Sequence, residues 1–97
     1  PKGYELDDEL VTNIENQARE NGGSLEVVNN IDEAFENVEV VYAKSWGSRH
    51  FYGDANADIR ERAAYREKWI VDQAKMSRTR DAIFMHCLPV RRNVIVS

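Results

Sequence analysis

The chain has 97 residues, with 17 acidic against 13 basic side chains and a net charge of −4, so it holds one domain at most. No apolar stretch approaches the ~18 residues that a membrane span needs, and no signal or transit segment is visible. The single cysteine excludes an internal disulfide and makes a reducing cytoplasm the simpler setting, while the acidic balance, without a basic-aromatic groove pattern or a zinc-finger spacing, argues against nucleic acid.

Leu6-Asp7-Asp8-Glu9-Leu10-Val11 opens the first predicted helix. Asp7 is placed to cap it, Asp8 and Glu9 suit the positive end of its dipole, and Leu6 can staple onto Val11. Leu10, Val11, Ile14 and Ala18 make the apolar stripe, and Gly22-Gly23 supplies a left-handed C-terminal cap. Ser24 to Val28 reads as a strand, and Asn30-Ile31-Asp32-Glu33 as the capping-box-like start of a short helix through Phe35. Val38 to Ala43 is nearly all apolar, the pattern of a strand covered on both faces.

A loop from Lys44 to about Gly53 leads into a helix from about Ala55 to Lys68, whose stripe of Ile59 and Ala63 is weak, with Tyr65 off-phase. Trp69-Ile70-Val71 looks extended, Asp72 is placed to cap a short helix over Gln73 to Arg78, and Ala82 to Met85 forms a third strand. Strands alternating with short helices imply parallel pairing and an α/β layer.

Two strands then run into unusual polar sequence at their C-terminal ends: Ala43 into Lys44-Ser45-Trp46-Gly47, and Met85 into His86-Cys87-Leu88-Pro89. Parallel pairing puts both loops on one edge of the sheet, where open α/β sheets bind ligands. The charge agrees with a small-anion site: residues 1–43 hold two basic against eleven acidic residues, whereas residues 44–97 hold eleven basic against six acidic. The bland reading of such a run is a solvated face.

Singly, each residue of the two loops has an ordinary explanation. A lone cysteine is usually a small buried hydrophobe, an isolated histidine such as His86 or His50 is usually a hydrogen-bonded structural imidazole, and Trp46 packs. Together they offer more. Lys44, Ser45 and Gly47 present charge, a hydroxyl and little steric obstruction to an anion. His86 and Cys87 handle protons, and Arg91 and Arg92 match carboxylate or phosphate. Two histidines and one cysteine lack a metal-ligand spacing. A papain-like pair is disfavoured because adjacent residues of an extended strand point to opposite faces.

Phe84-Met85-His86-Cys87-Leu88-Pro89 resembles the signature of the aspartate/ornithine carbamoyltransferase family, in its ornithine-type branch. Ser45-Trp46-Gly47 stands where that branch carries Ser-Met-Gly, and Pro1-Lys2-Gly3-Tyr4-Glu5-Leu6 resembles the opening of the first helix of the family's amino-acid-binding domain. The resemblance covers nearly all of residues 1–97. It implies a three-layer Rossmann-like α/β fold, a parallel sheet with helices on both faces, of which this chain is an incomplete domain. The family's Ser-x-Arg-Thr and His-Pro-x-Gln segments are absent and belong to a separate carbamoyl-phosphate domain.

Ornithine enzymes place an aspartate four residues before the serine, where it holds the free α-amino group; here that position is Val41. Lys44 before Ser45 and Val90-Arg91-Arg92-Asn93 after the signature are similar to the branch that acts on N-acylated ornithine, whose capped α-nitrogen needs no carboxylate partner. The resemblance implies carbamoyl transfer from carbamoyl phosphate to the side-chain amine of such an ornithine, in the cytoplasm, without cofactor or metal, in a homotrimeric parent. It assigns Cys87 and Leu88 to the carbamoyl nitrogen and the attacking amine, His86 to orienting the motif, and Arg91 to anion contact beside Arg92. Lys44, Ser45 and Trp46 fall to substrate binding, with Lys44 suited to the carboxylate. Plain ornithine, another amine, or a non-catalytic anion-binding module are the alternative readings.

Overall fold

The computed structural model describes residues 1–47 and 53–97; His50 and half of the loop expected from Lys44 to about Gly53 lie outside them. The elements in chain order are α1 (Asp8–Glu20), α2 (Ile31–Phe35), β1 (Val40–Ala43), α3 (Ala55–Trp69), α4 (Gln73–Met76) and β2 (Ile83–His86). β1 and β2 pair in parallel, with Val40 opposite Ile83 and Ala43 opposite His86. The class is α/β, as expected. No helix among the described residues is long and apolar enough to cross a membrane.

Helix ends follow their capping chemistry. Asn30 accepts from the amides of Asp32 and Glu33 at 3.1 and 3.4 Å, satisfying donors that the first turn of α2 leaves open. Gly22, at φ +77°, lets the chain leave α1 while the Gly23 amide returns to the Ala18 carbonyl at 2.7 Å, a Schellman closure. Asp7 stands at the N-cap of α1, but its carboxylate makes no capping hydrogen bond. Leu6 and Leu10, expected in the staple and the stripe, are exposed, and Val11, Ile14 and Ala18 form the half-buried side.

The core sits on one face of the strand pair. Ile31, Phe35 and Val71 form a buried cluster, with Val41, Ala43, Trp69, Met76 and Val96 packed against it. Ile95 is also buried. Its segment is held there by parallel pairing of Val96 with Val71, through Val71 N–H to Ile95 O at 2.7 Å and Ser97 N–H to Val71 O at 3.0 Å. The register places Val40, Tyr42, Ile83 and Met85 on the opposite face, where they are 48 to 61% exposed.

Two expectations are corrected. Ser24 to Val28 is not a strand: its residues lie outside the β1–β2 pair, and Val27 is 58% exposed. Apolar alternation gives a strand only where a neighbour completes the ladder. Trp69-Ile70-Val71 is not extended throughout: Trp69 closes α3, and only Val71 enters a bridge.

Asp72 both caps α4, accepting from Lys75 N–H at 2.9 Å, and pairs with the Lys75 ammonium at 3.1 Å. The backbone hydrogen bond first, and the ammonium after it, hold its carboxyl below the ordinary 3.8. A depressed folded-state pKa gives stability that is complete above the unfolded value and is lost as pH falls through the folded one. Asp72→Asn keeps a capping acceptor but leaves the buried Lys75 ammonium unpaired. Urea unfolding will show a loss of about 1–3 kcal/mol at pH 7, and the two proteins will converge as pH drops below 3.8.

Candidate functional site

The strand register sets the geometry. Ala43 and His86 are partners at the C-terminal edge, so Lys44-Ser45-Trp46-Gly47 and Cys87-Leu88-Pro89 leave the sheet side by side. His86 Nδ1 lies 2.6 Å from the Ala43 carbonyl. A carbonyl only accepts, so Nδ1 is the donor in this hydrogen bond. Nε2 is buried without a hydrogen-bond partner among the described residues. The ring stacks on Phe84 at 6.5 Å, one position-pair back on the same face.

His86 and Cys87 diverge, as the extended geometry requires. Cys87 is a free, exposed thiol, so the buried-hydrophobe reading of the lone cysteine does not hold. It meets Tyr42, on the open sheet face. Negative charge on Cys87, followed by a hydrogen bond between the two side chains, raises the Tyr42 phenol above its ordinary value. Leu88 is 85% exposed, and the Leu88–Pro89 peptide is cis.

Trp46 anchors the other loop. Tyr4 meets its ring edge-on at 4.7 Å and 86°, and the Arg62 guanidinium stands 5.9 Å from its centroid. Arg62 is held by Asp58 at 2.6 Å, with both side chains 14% exposed. Gly47 lies beside the same carboxylate, where a Cβ would stand 3.4 Å from Asp58 Oδ2, at contact distance. Tyr4 also meets Tyr65 edge-on at 5.9 Å. Burial of its hydroxyl, then the negative charges of Asp58 and Glu61, raise the Tyr4 phenol.

A cleft of about 230 Å³ opens beside this stack, lined by Trp46, Ile59, Arg62, Ala63, Arg66, Arg91 and Val94. The structure thus brings Trp46 and Arg91 to one cavity. Lys44, Ser45 and Arg92 are exposed and, like Cys87, are not among its walls. Sequence reasoning missed Tyr4, Ile59, Arg62 and Arg66. The signal was present: Ile59, Arg62, Ala63 and Arg66 fall at the i, i+3, i+4, i+7 spacing of one helix face. The stripe looks weak as a core face because it is a mixed apolar and cationic wall.

All 97 residues match the family model described as the Asp/Orn binding domain of aspartate/ornithine carbamoyltransferase. The chain belongs to the aspartate/ornithine carbamoyltransferase family. Among curated members, N-acetylornithine carbamoyltransferase of Xanthomonas campestris pv. campestris is 43% identical over 91 residues, which cover 94% of this chain and 26% of that protein. N-succinylornithine carbamoyltransferase of Bacteroides fragilis is 37% identical over 97 residues, all of this chain and 26% of that protein. A crystal structure of acetylornithine transcarbamylase complexed with acetylcitrulline superposes with a TM-score of 0.88 at 40% identity, covering 100% of this chain and 29% of that one. The chain therefore spans about a quarter of the length of these carbamoyltransferases.

The Tyr42–Cys87 contact is testable directly. Cys87→Ala removes both the charge and the hydrogen bond that raise the phenol, so the Tyr42 ring-carbon NMR titration will move to lower pH. An unchanged midpoint contradicts the contact.

Proposed function

We propose that residues 1–97 are the amino-acid-binding region of a carbamoyltransferase that carries the carbamoyl group of carbamoyl phosphate to the side-chain amine of an N-acylated L-ornithine, in arginine biosynthesis. The observation that carries this is the Ala43–His86 pairing, which starts the Lys44-Ser45-Trp46 and Cys87-Leu88 segments from neighbouring positions. Val41 packs against the core, so nothing at that position offers a free α-ammonium a counter-charge. A substrate whose α-nitrogen is an amide loses nothing there. The likeness to N-acetylornithine and N-succinylornithine carbamoyltransferases supports the same choice.

In this reading the neutral amine attacks the carbamoyl carbon, a tetrahedral intermediate forms, and phosphate leaves. Rate comes mainly from holding the reactants in line and from donors aimed at the developing oxyanion. The Leu88 carbonyl and Cys87 face the amine and the carbamoyl nitrogen, with Cys87 assisting proton removal rather than attacking carbon. His86 orients the motif through its bond to Ala43. Lys44 receives the α-carboxylate, Ser45 and Trp46 flank it, and Arg91 completes the anion contacts. Carbamoyl phosphate is bound mainly by a separate domain of the parent chain, which acts in the cytoplasm as a homotrimer with sites at subunit boundaries.

The test is carbamoyl transfer by the full parent protein, followed as N-acylcitrulline formed from labelled carbamoyl phosphate. Lys44→Ala will raise KM for the acylornithine by about tenfold to a hundredfold, the value of one charge-assisted contact. Cys87→Ala will lower kcat by on the order of a hundredfold. Undiminished turnover in both variants, or a strong preference for free ornithine, overturns the assignment.

A further inference from the structure

The loop after β1 begins with Lys44 and Ser45, and both side chains are exposed. The anchor is the next residue. Trp46 is half-buried, with the Tyr4 ring edge-on to it at 4.7 Å and the Arg62 guanidinium 5.9 Å from its centroid. Tyr4 is itself set against α3 by its edge contact with Tyr65 at 5.9 Å. Asp58, one turn before Arg62 on the same helix, locks the guanidinium at 2.6 Å, with the acid on the N-terminal side as that spacing favours. The indole is thus held by both the N-terminal segment and α3, and it fixes the path of the two residues before it.

Stability alone does not account for this cluster. The Tyr4 hydroxyl and Arg62 Nε are buried without a hydrogen-bond partner among the described residues, and a buried polar group left unpaired is destabilising. Nor does α3 serve mainly the core, since none of its residues is fully buried. Its Asp58–Arg62 turn meets the loop instead, at Gly47 as well as at Trp46. What the arrangement secures is position: an edge-on aromatic pair and a cation near a ring are both directional contacts, and together they leave the indole few rotamers to lose on binding.

We propose that Tyr4 and Arg62 are positioning residues of the carbamoyl-transfer site, acting through the Trp46 ring to hold Lys44 and Ser45 where the amino acid's carboxylate is received. This rests on the carbamoyltransferase reading and adds to it two residues whose effect on the substrate is indirect.

The experiment measures kcat and both KM values of the parent enzyme, with whichever of N-acetyl-L-ornithine and N-succinyl-L-ornithine the wild type turns over faster. Arg62→Met keeps a helix-forming side chain of similar reach and removes the cation. It will raise KM for the amino acid about tenfold, the scale of a desolvated cation–π contact, and leave KM for carbamoyl phosphate unchanged. Arg62→Lys will restore most of the loss, because a charge remains for both the ring and Asp58. Tyr4→Leu will raise the same KM, and Tyr4→Phe, which keeps the ring, will not; this pair carries the test even where Arg62→Met folds poorly. In a Trp46→Leu background Arg62→Met will no longer move KM, because the contact through which it acts is gone. A merely structural role lowers the amount of active enzyme, and with it kcat, at constant KM. That pattern, an equal rise in both KM values, or an undiminished Arg62→Met effect without the indole overturns the proposal and leaves carbamoyl transfer standing. A wild type that carbamoylates neither acylornithine overturns the underlying reading, and this inference with it.

Discussion

The parallel register of β1 and β2 is the constraint on which the rest depends. Parallel strands cannot be joined by a tight turn, so the chain between Ala43 and Ile83 must cross back, and it does so through α3 and α4. That crossover places α3 against the loop it has just left, with Asp58 and Arg62 against Gly47 and Trp46. Because side chains alternate along each strand, the same register sends Val41, Ala43, Phe84 and His86 to one face. Val40, Tyr42, Ile83 and Met85 go to the other. A slip of one residue would exchange those faces and part the Ala43 carbonyl from the His86 imidazole.

Within that frame Trp46 is fixed from two sides. Tyr4 brings the N-terminal segment to its ring edge, and Arg62, locked by Asp58, approaches its face. An aromatic held by an edge contact and a cation is preorganised in the sense that favours binding, since fewer rotamers remain to be lost. The Trp46 loop is therefore a wall already built. The Cys87 loop on the other strand is exposed and presents its groups outward.

Features set by local chemistry were legible in the sequence: the Asn30 and Asp72 caps, the glycine exit of α1, and the two strands that run into polar loops. Features set by partners were not. Ser24 to Val28 has strand composition but no neighbour here. The apolar run of β1 suggests cover on both faces, yet the packed core lies on one. Asn93, at φ 60°, a conformation that asparagine tolerates better than most residues, precedes the buried Ile95, a burial that nothing in the local sequence pattern signals. Both strand-end loops were found because their polar residues interrupt apolar runs. The basic wall of α3 was hidden because its arginines alternate with apolar residues on one helix face.

The site proposed for the acylated amino acid is the sheet edge where the two loops meet. A crystal structure of the parent protein with carbamoyl phosphate and N-succinyl-L-norvaline, an unreactive analogue lacking the attacking amine, tests it most directly. The predicted result places the analogue's side chain toward Cys87 and Leu88 and its α-carboxylate toward Lys44. Density for the analogue away from the Lys44–Gly47 and Cys87–Arg91 segments would contradict the account.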